Sequence, residues 1–270
     1  MDMAPVLVGT SHGTDDAAGQ AAVRALLDGV RAARPDLDVR EAFVDVQTPE
    51  VDDVLAGAVA DAGSAVVVPL LLSTGYHVRH DIARAVAAHD DAAVSAEPLG
   101  PDPRLVDLLT DRLAEIDESS GLRPDDAVVL AAAGSSVAAA AVAVEEVAAG
   151  LAERLGRPVT PSYGAGAEPR VPAAVAAVRA GSTGDGGGGE GEAVVAGTTP
   201  AEGDAGVPGR VVVASYLLAP GYFHDRVLEA GADVVTAPLA PSGTPDDRLV
   251  RIVLDRYEAA ADRLALRRSS

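Results

Sequence analysis

Four blocks in the first half of this chain return in the second half, in the same order. "PVLVGTSHGT" at 5–14 is answered by "AVVLAAAGSS" at 127–136, and "EAFVDVQTPEVDDVL" at 41–55 by "PSYGAGAEPRVPAAV" at 161–175. "PLLLSTGYHVRHD" at 69–81 matches "SYLLAPGYFHD" at 215–225, and "AEPLGPDPRLVDLLTDRLAEI" at 96–116 matches "TAPLAPSGTPDDRLVRIVLDRYEAA" at 236–260. Chance does not keep four blocks in one order, so the chain reads as a tandem duplication. Whatever fold the first half adopts, the second adopts too. The sequence divides into lobes over 1–120 and 121–270.

Within each half, short β-type runs alternate with helical patterns. "PVLVGT" precedes a helix whose apolar positions Val23, Leu26, Leu27 and Val30 recur at helical spacing. "LDVREAFV" leads to a helix predicted to open with Thr48 as N-cap and Pro49 at the first helical position, with acids in its first turn. "AVVVPLLL" is continuous, apolar and β-branched, as a strand covered on both faces requires. A helix from about Asp81, the strand "AAVSAEPL" and a helix near Pro103–Ile116 complete the unit. The fold class is α/β: two tandem lobes, each a small parallel sheet flanked by helices.

The repeat is interrupted once. Between Ala180 and Val211 the chain runs through "GSTGDGGGGEGEAVVAGTTPAEGDAGVPGR", where the first lobe uses a few residues around Gly63. A segment so rich in Gly, Ser, Thr and acids buries too little apolar area to offset its ordering entropy. It is expected to be a disordered surface loop at about 181–209.

Composition narrows the chemistry. No apolar run approaches the roughly 20 residues of a membrane-spanning helix, and the "MDMAPVLV" start lacks a basic n-region, so the expected location is the cytoplasm with no membrane partner. A net charge of -20 argues against nucleic acid. Zero cysteines exclude disulfides and thiolate metal sites, so any metal must be held by imidazole, carboxylate or water.

The duplication also serves as an internal control on the few histidines. "HGT" set against "AGS" pairs His12 with Ala133. The shared prolines Pro49 and Pro169 pair Asp45 with Ala165, and the shared Gly-Tyr pairs put Phe223 opposite His77. In each case the scaffold persists and the polar group is gone from the second lobe. His12, Asp45 and His77 follow the first, second and third strands, at the carboxyl edge where open α/β sheets bind ligands. His80 and Asp81 are read as helix-start residues, His224 as cleft lining, and His89 as an exposed helix end. Two imidazoles and a carboxylate suit Fe, Co, Ni or Zn in an open, transient site. Walker, dinucleotide-binding and nucleophile-elbow motifs are all missing from the sequence.

The elements "SHGT", "EAFVDVQTPEVDDVL", "VVVPLLLSTGYHVRHDI" and "EPLGPDPRLVDLL" closely resemble the sirohydrochlorin chelatases of the class II chelatase group, in their duplicated long form. That resemblance implies insertion of Fe2+ or Co2+ into sirohydrochlorin, on the routes to sirohaem or cobalamin. It implies that His12 and His77 are catalytic and handle the metal together with Asp45, which stands where the family more often has Glu. The expected partners are a tetrapyrrole and a divalent metal ion, with no cofactor beyond the substrate metal, and the expected assembly is a monomer of two lobes. Ser11, Gly13, Thr14, Gly75, Tyr76 and Arg79 from the first lobe, and Tyr222 and Phe223 from the second, are expected to bind the substrate. Arg84 and the amides near Gly13 and Thr14 are expected to draw in its carboxylates. Two alternatives remain at this level: a ferrochelatase acting on another porphyrin, and a non-catalytic tetrapyrrole or metal carrier.

Overall fold

The computed structural model describes residues 4–73, 75–116, 121–181, 209–241 and 243–269, and for 76–79 the backbone alone. The loop reading at about 181–209 therefore falls almost wholly outside the described residues. In the first half the order is β1 (Val6–Ser11), α1 (Ala17–Ala33), β2 (Val39–Phe43), α2 (Val51–Ala62), β3 (Ala65–Pro69), α3 (Tyr76–Ala87), β4 (Ala93–Ser95) and α4 (Pro103–Ala114). The second half repeats it with β5 (Ala127–Ala132), α5 (Ala138–Leu155), β6 (Val159–Tyr163), α6 (Val171–Arg179), β7 (Val211–Tyr216), α7 (Tyr222–Leu228), β8 (Val234–Val235) and α8 (Asp247–Arg268).

The strands form two parallel sheets of identical topology, β2-β1-β3-β4 and β6-β5-β7-β8. The continuous apolar runs explain the burial. Along β1, Val6 and Val8 join one apolar cluster with α2 and α3, while Leu7 faces the other way into a cluster that also contains Val128, Leu130 and Val212 of the second sheet. One hydrophobic core thus spans both lobes. No helix among the described residues is long and apolar enough to cross a membrane.

Two helix starts differ from the sequence expectation. Helix α2 begins at Val51 with Glu50 as N-cap, because Pro49 O accepts from Phe43 N (3.0 Å) and keeps 48–50 alongside β2. Helix α3 begins at Tyr76 with Gly75 as N-cap, so His77 lies in the first turn of a helix and not on a loop. The strand expected from "AAVSAEPL" covers only Ala93–Ser95.

The last helix of each half crosses to the other lobe. Helix α4 packs on α5 and β7, and α8 packs on α1, β3 and β4. The crossing is reciprocal at atomic level. Arg256 of α8 donates to Pro98 O (Nε, 2.9 Å) and Leu99 O (Nη2, 3.2 Å), and Arg112 of α4 donates to Pro238 O and Leu239 O at 3.3 Å each. Arg104–Asp255 and Arg248–Asp111 repeat as ion pairs of 2.6 Å. Both helix crossings pass through a glycine. A Cβ on Gly29 would lie 2.8 Å from Val250 Cγ2, and one on Gly150 would lie 3.3 Å from Val106 Cγ2.

Asp102 anchors this seam. Its carboxylate caps α4 by accepting from Arg104 N (3.0 Å), takes two further bonds from the Arg104 guanidinium, and lies 3.4 Å from Arg256. Burial alone would raise its pKa, but the Arg104 and Arg256 contacts prevail and hold it below the ordinary carboxylate range. A group with a lowered folded-state pKa contributes stability above its unfolded value, and that stability is lost as pH falls through the folded value. Asp102→Ala should lower unfolding stability at pH 7 by about 3 kcal/mol. The wild-type excess over the variant should shrink below about pH 4. Urea titrations of both proteins at pH 7 and pH 3.5 measure this, and an equal difference at the two pH values would contradict it.

Candidate metal and tetrapyrrole site

At the carboxyl end of β1 the buried Ser11 gives way to an exposed His12 and then Gly13, whose φ is +97°. A Cβ on Gly13 would run into Asp45 O, so only glycine lets the two loops meet. They are pinned by Val44 N donating to Ser11 O and Asp45 N donating to His12 O, both at 3.0 Å. His12 and Asp45 therefore share one edge, their backbones directly bonded and both residues exposed. Asp45 Oδ1 accepts from Val46 N (2.7 Å) and Asp45 O from Gln47 N (2.6 Å), which sets the carboxylate on a tight turn.

Thr14 is placed differently from the expectation. Its amide donates to Gln47 Oε1 (3.0 Å), its carbonyl accepts from Gln20 Nε2 (2.8 Å), and its hydroxyl accepts from Asp16 N (3.1 Å). That amide is spent inside the protein and does not await an anion. Arg84 is likewise occupied, donating to both oxygens of Asp52 on α2 at 3.1 and 3.3 Å. Gln47 is the residue that sequence reasoning missed here, since nothing in its spacing marked it.

The second lobe keeps the same backbone without the polar groups. Ala165 N donates to Ala133 O and Gly164 N to Ala132 O, each at 2.8 Å, and Gly134 has φ +85° with Ala165 O again blocking any Cβ. Ala133 and Ala165 are thus the structural counterparts of His12 and Asp45. His77 and Phe223 correspond as well, each being the second residue of a helix capped by glycine, Gly75 or Gly221. The side chains of Tyr76, His77 and Arg79 lie outside the described residues, so their expected roles are placed only by backbone. Among the described residues no three His, Asp or Glu side chains gather to hold a metal.

Phe223 is half-buried. Its ring lies 2.8 Å from where a Gly164 Cβ would be and packs against the apolar cluster of its own lobe, filling the space beside Ala133. Tyr216, at the end of β7, is buried in the shared core with its hydroxyl against Gly100, and burial pushes its pKa up. His224 Nε2 lies 3.3 Å from Thr236 O within the second lobe, and His89 is half-buried at a 3-10 turn rather than exposed.

Tyr222 fares otherwise. Its ring is 69% exposed, makes an edge contact with Phe223, and has the Arg226 guanidinium 6.0 Å from its centre. The preceding Gly221 packs on the first lobe, 3.4 Å from its Cβ position to Thr14 Oγ1. Reciprocally, Gly75 faces Ser135 Oγ of the second lobe at 3.9 Å. The two interlobe gaps are unequal. On one side α1 comes so near the second lobe that a Cβ on Gly19 would lie 2.5 Å from Pro220 O. On the other, a cavity of about 630 Å³ opens between α3 and α5, lined by Ser73, Ile82, Ala83, Val137, Ala140 and Arg256.

Comparison with known proteins bears on the first lobe's sequence and on the fold of the whole. The CbiX family model matches residues 6–116, the stretch that holds His12, Asp45 and His77. The sirohydrochlorin cobaltochelatase of Sulfolobus acidocaldarius is 34% identical over 77 residues, which are 27% of this chain and 63% of that protein's length. Among solved structures, SirB from Bacillus subtilis with Fe3+ superposes with a TM-score of 0.71 at 20% identity, covering 96% of each chain. CbiX, described as the terminal enzyme of sirohaem biosynthesis in denitrifying bacteria, gives 0.60 at 20% identity over 95% of this chain and 99% of that one. Those two likenesses concern the fold, and they extend it over both lobes. The first lobe, which carries the polar edge, is thus similar in sequence to the CbiX family, and the chain as a whole shares the two-lobed fold of SirB and CbiX.

Proposed function

We propose that this protein inserts Fe2+ or Co2+ into sirohydrochlorin, with the metal and the tetrapyrrole both as substrates. The observation that carries the reading is the bonded His12–Asp45 edge, exposed on one lobe and repeated in the other with alanine at both positions. Imidazole and carboxylate together take a borderline divalent ion without thiolate. Metal insertion expels two N–H protons from the macrocycle as its four ring nitrogens close on the ion. A side chain that releases the metal as the macrocycle captures it is free to accept one of those protons, and imidazole suits this because its proton affinity lies near neutrality.

The second lobe supports the reading by what it retains. Gly221 against Thr14 brings Tyr222 to the rim of the first lobe's edge, where an exposed aromatic ring suits a flat macrocycle. On this reading a single chain is enough for the reaction, because it supplies both lobes. Whether the product enters sirohaem or cobalamin synthesis depends on the metal delivered to it.

Anaerobic incubation of the wild-type chain with sirohydrochlorin and Fe2+ or Co2+ in turn, read by visible absorbance, tests the reading. Many product molecules per chain are expected with at least one metal. A spectral change that stops at one equivalent would identify a carrier, and no change with either metal would overturn the proposal.

A further inference from the structure

Among the described residues only two non-glycine positions have positive φ, Val46 at 64° and Asp90 at 46°. Valine is a poor choice for such a backbone, because the left-handed region crowds Cβ against the carbonyl and a β-branched residue has the least room to adjust. The turn itself does not need it. The second lobe builds the same turn with Gly166 at φ 71°, where a Cβ would lie 2.5 Å from the Ser135 carbonyl carbon. There the neighbouring loop has closed over the position, whereas the first lobe leaves it open to a side chain.

Burial does not account for the valine either. Val46 is 50% exposed and is one of five large apolar side chains in that state among the described residues. It is absent from the three apolar clusters of the core. Its neighbours on the loop are Asp45, whose carboxylate accepts from the Val46 amide, and through Asp45 the exposed His12. The side chain is therefore strained, wet and set at the rim of the one polar edge that the second lobe has lost. Strain held at such a position is accounted for when a ligand completes the contact.

We propose that Val46 is a substrate-binding residue, its isopropyl group packing on the apolar surface of the tetrapyrrole presented to His12 and Asp45. This rests on the chelatase reading above and adds the residue that orients the macrocycle over that edge. Tetrapyrrole affinity then depends on an apolar side chain at 46, and metal affinity does not.

Three variants separate this from a structural role: Val46→Gly and Val46→Asn, both compatible with the left-handed backbone, and Val46→Leu, which keeps an apolar side chain. KM for sirohydrochlorin should rise about tenfold in Val46→Gly and Val46→Asn. It should stay near the wild-type value in Val46→Leu, and kcat, Co2+ affinity and the melting temperature of Val46→Gly should not fall. An unchanged KM in Val46→Asn, or an equal rise in all three variants, would overturn the proposal. A wild-type chain that binds sirohydrochlorin without converting it would sink the chelatase reading alone. The same variants, read by metal-free sirohydrochlorin binding, would then still decide the role of Val46.

Discussion

His12→Ala should reduce sirohydrochlorin turnover by about 100-fold or more, the scale on which a positioned acid–base group acts, and should leave the fold intact. The protein already contains the control for that second clause. Ala133 occupies the equivalent place in the second lobe, and its carbonyl still receives the Ala165 amide at 2.8 Å. The loop geometry therefore needs the backbone of residue 12 and not its imidazole. Steady-state kinetics beside thermal unfolding measure both halves of the expectation. Turnover within threefold of wild type in a folded variant would remove His12 from the mechanism.

Residues 1–120 produced without the rest of the chain should not persist as a folded monomer. Helix α8, encoded at the far end of the sequence, covers α1, β3 and β4 with Leu249, Ile252, Val253, Tyr257 and Leu264, all buried. Each such side chain contributes about 1.5–3 kcal/mol when buried, so losing the set removes about as much as the whole stability of an ordinary domain. Helix α4 would at the same time lose α5 and β7, the surfaces it packs on. The fragment is expected to self-associate, each copy lending α4 to the other as the two halves now do. Light scattering and circular dichroism should show folded dimers or aggregates, and mixing with 121–270 should restore a one-to-one complex. A monodisperse fragment that melts cooperatively as a monomer would refute the exchange as a source of stability.

Much of this was legible in the sequence because the repeat supplied a second copy of every position. The strands β1, β3, β5 and β7 announce themselves by opening on three or more consecutive apolar residues, and their order along the chain follows from the alternation with helices. The pairs His12/Ala133 and Asp45/Ala165 came from alignment alone and correspond in space to the bond. The start of α3 was not legible, since "STGYHV" has no Ser, Thr, Asp or Asn at the capping position and Gly75 fills that role instead. Neither was the destination of α4 and α8. Their amphipathic pattern fixes which face is buried but not which lobe buries it, and that choice lies in contacts between residues far apart in sequence, such as Arg256 with Pro98. The orientation of Phe223 was also hidden, because only the structure shows the gap beside Gly164 that receives its ring.

The glycines at the two helix crossings carry a mechanical consequence. With Gly29 against Val250 and Gly150 against Val106, α1 meets α8 and α5 meets α4 at near-contact of main chain and methyl, within one continuous core. Two bodies joined this way do not rock about a hinge, because opening the cleft would pull apart close-packed apolar surface. The aperture beside His12 is then fixed in width. A macrocycle that must bend to accept its metal has to bend against a rigid frame, and the small motions that let it in and out belong to loops and side chains alone.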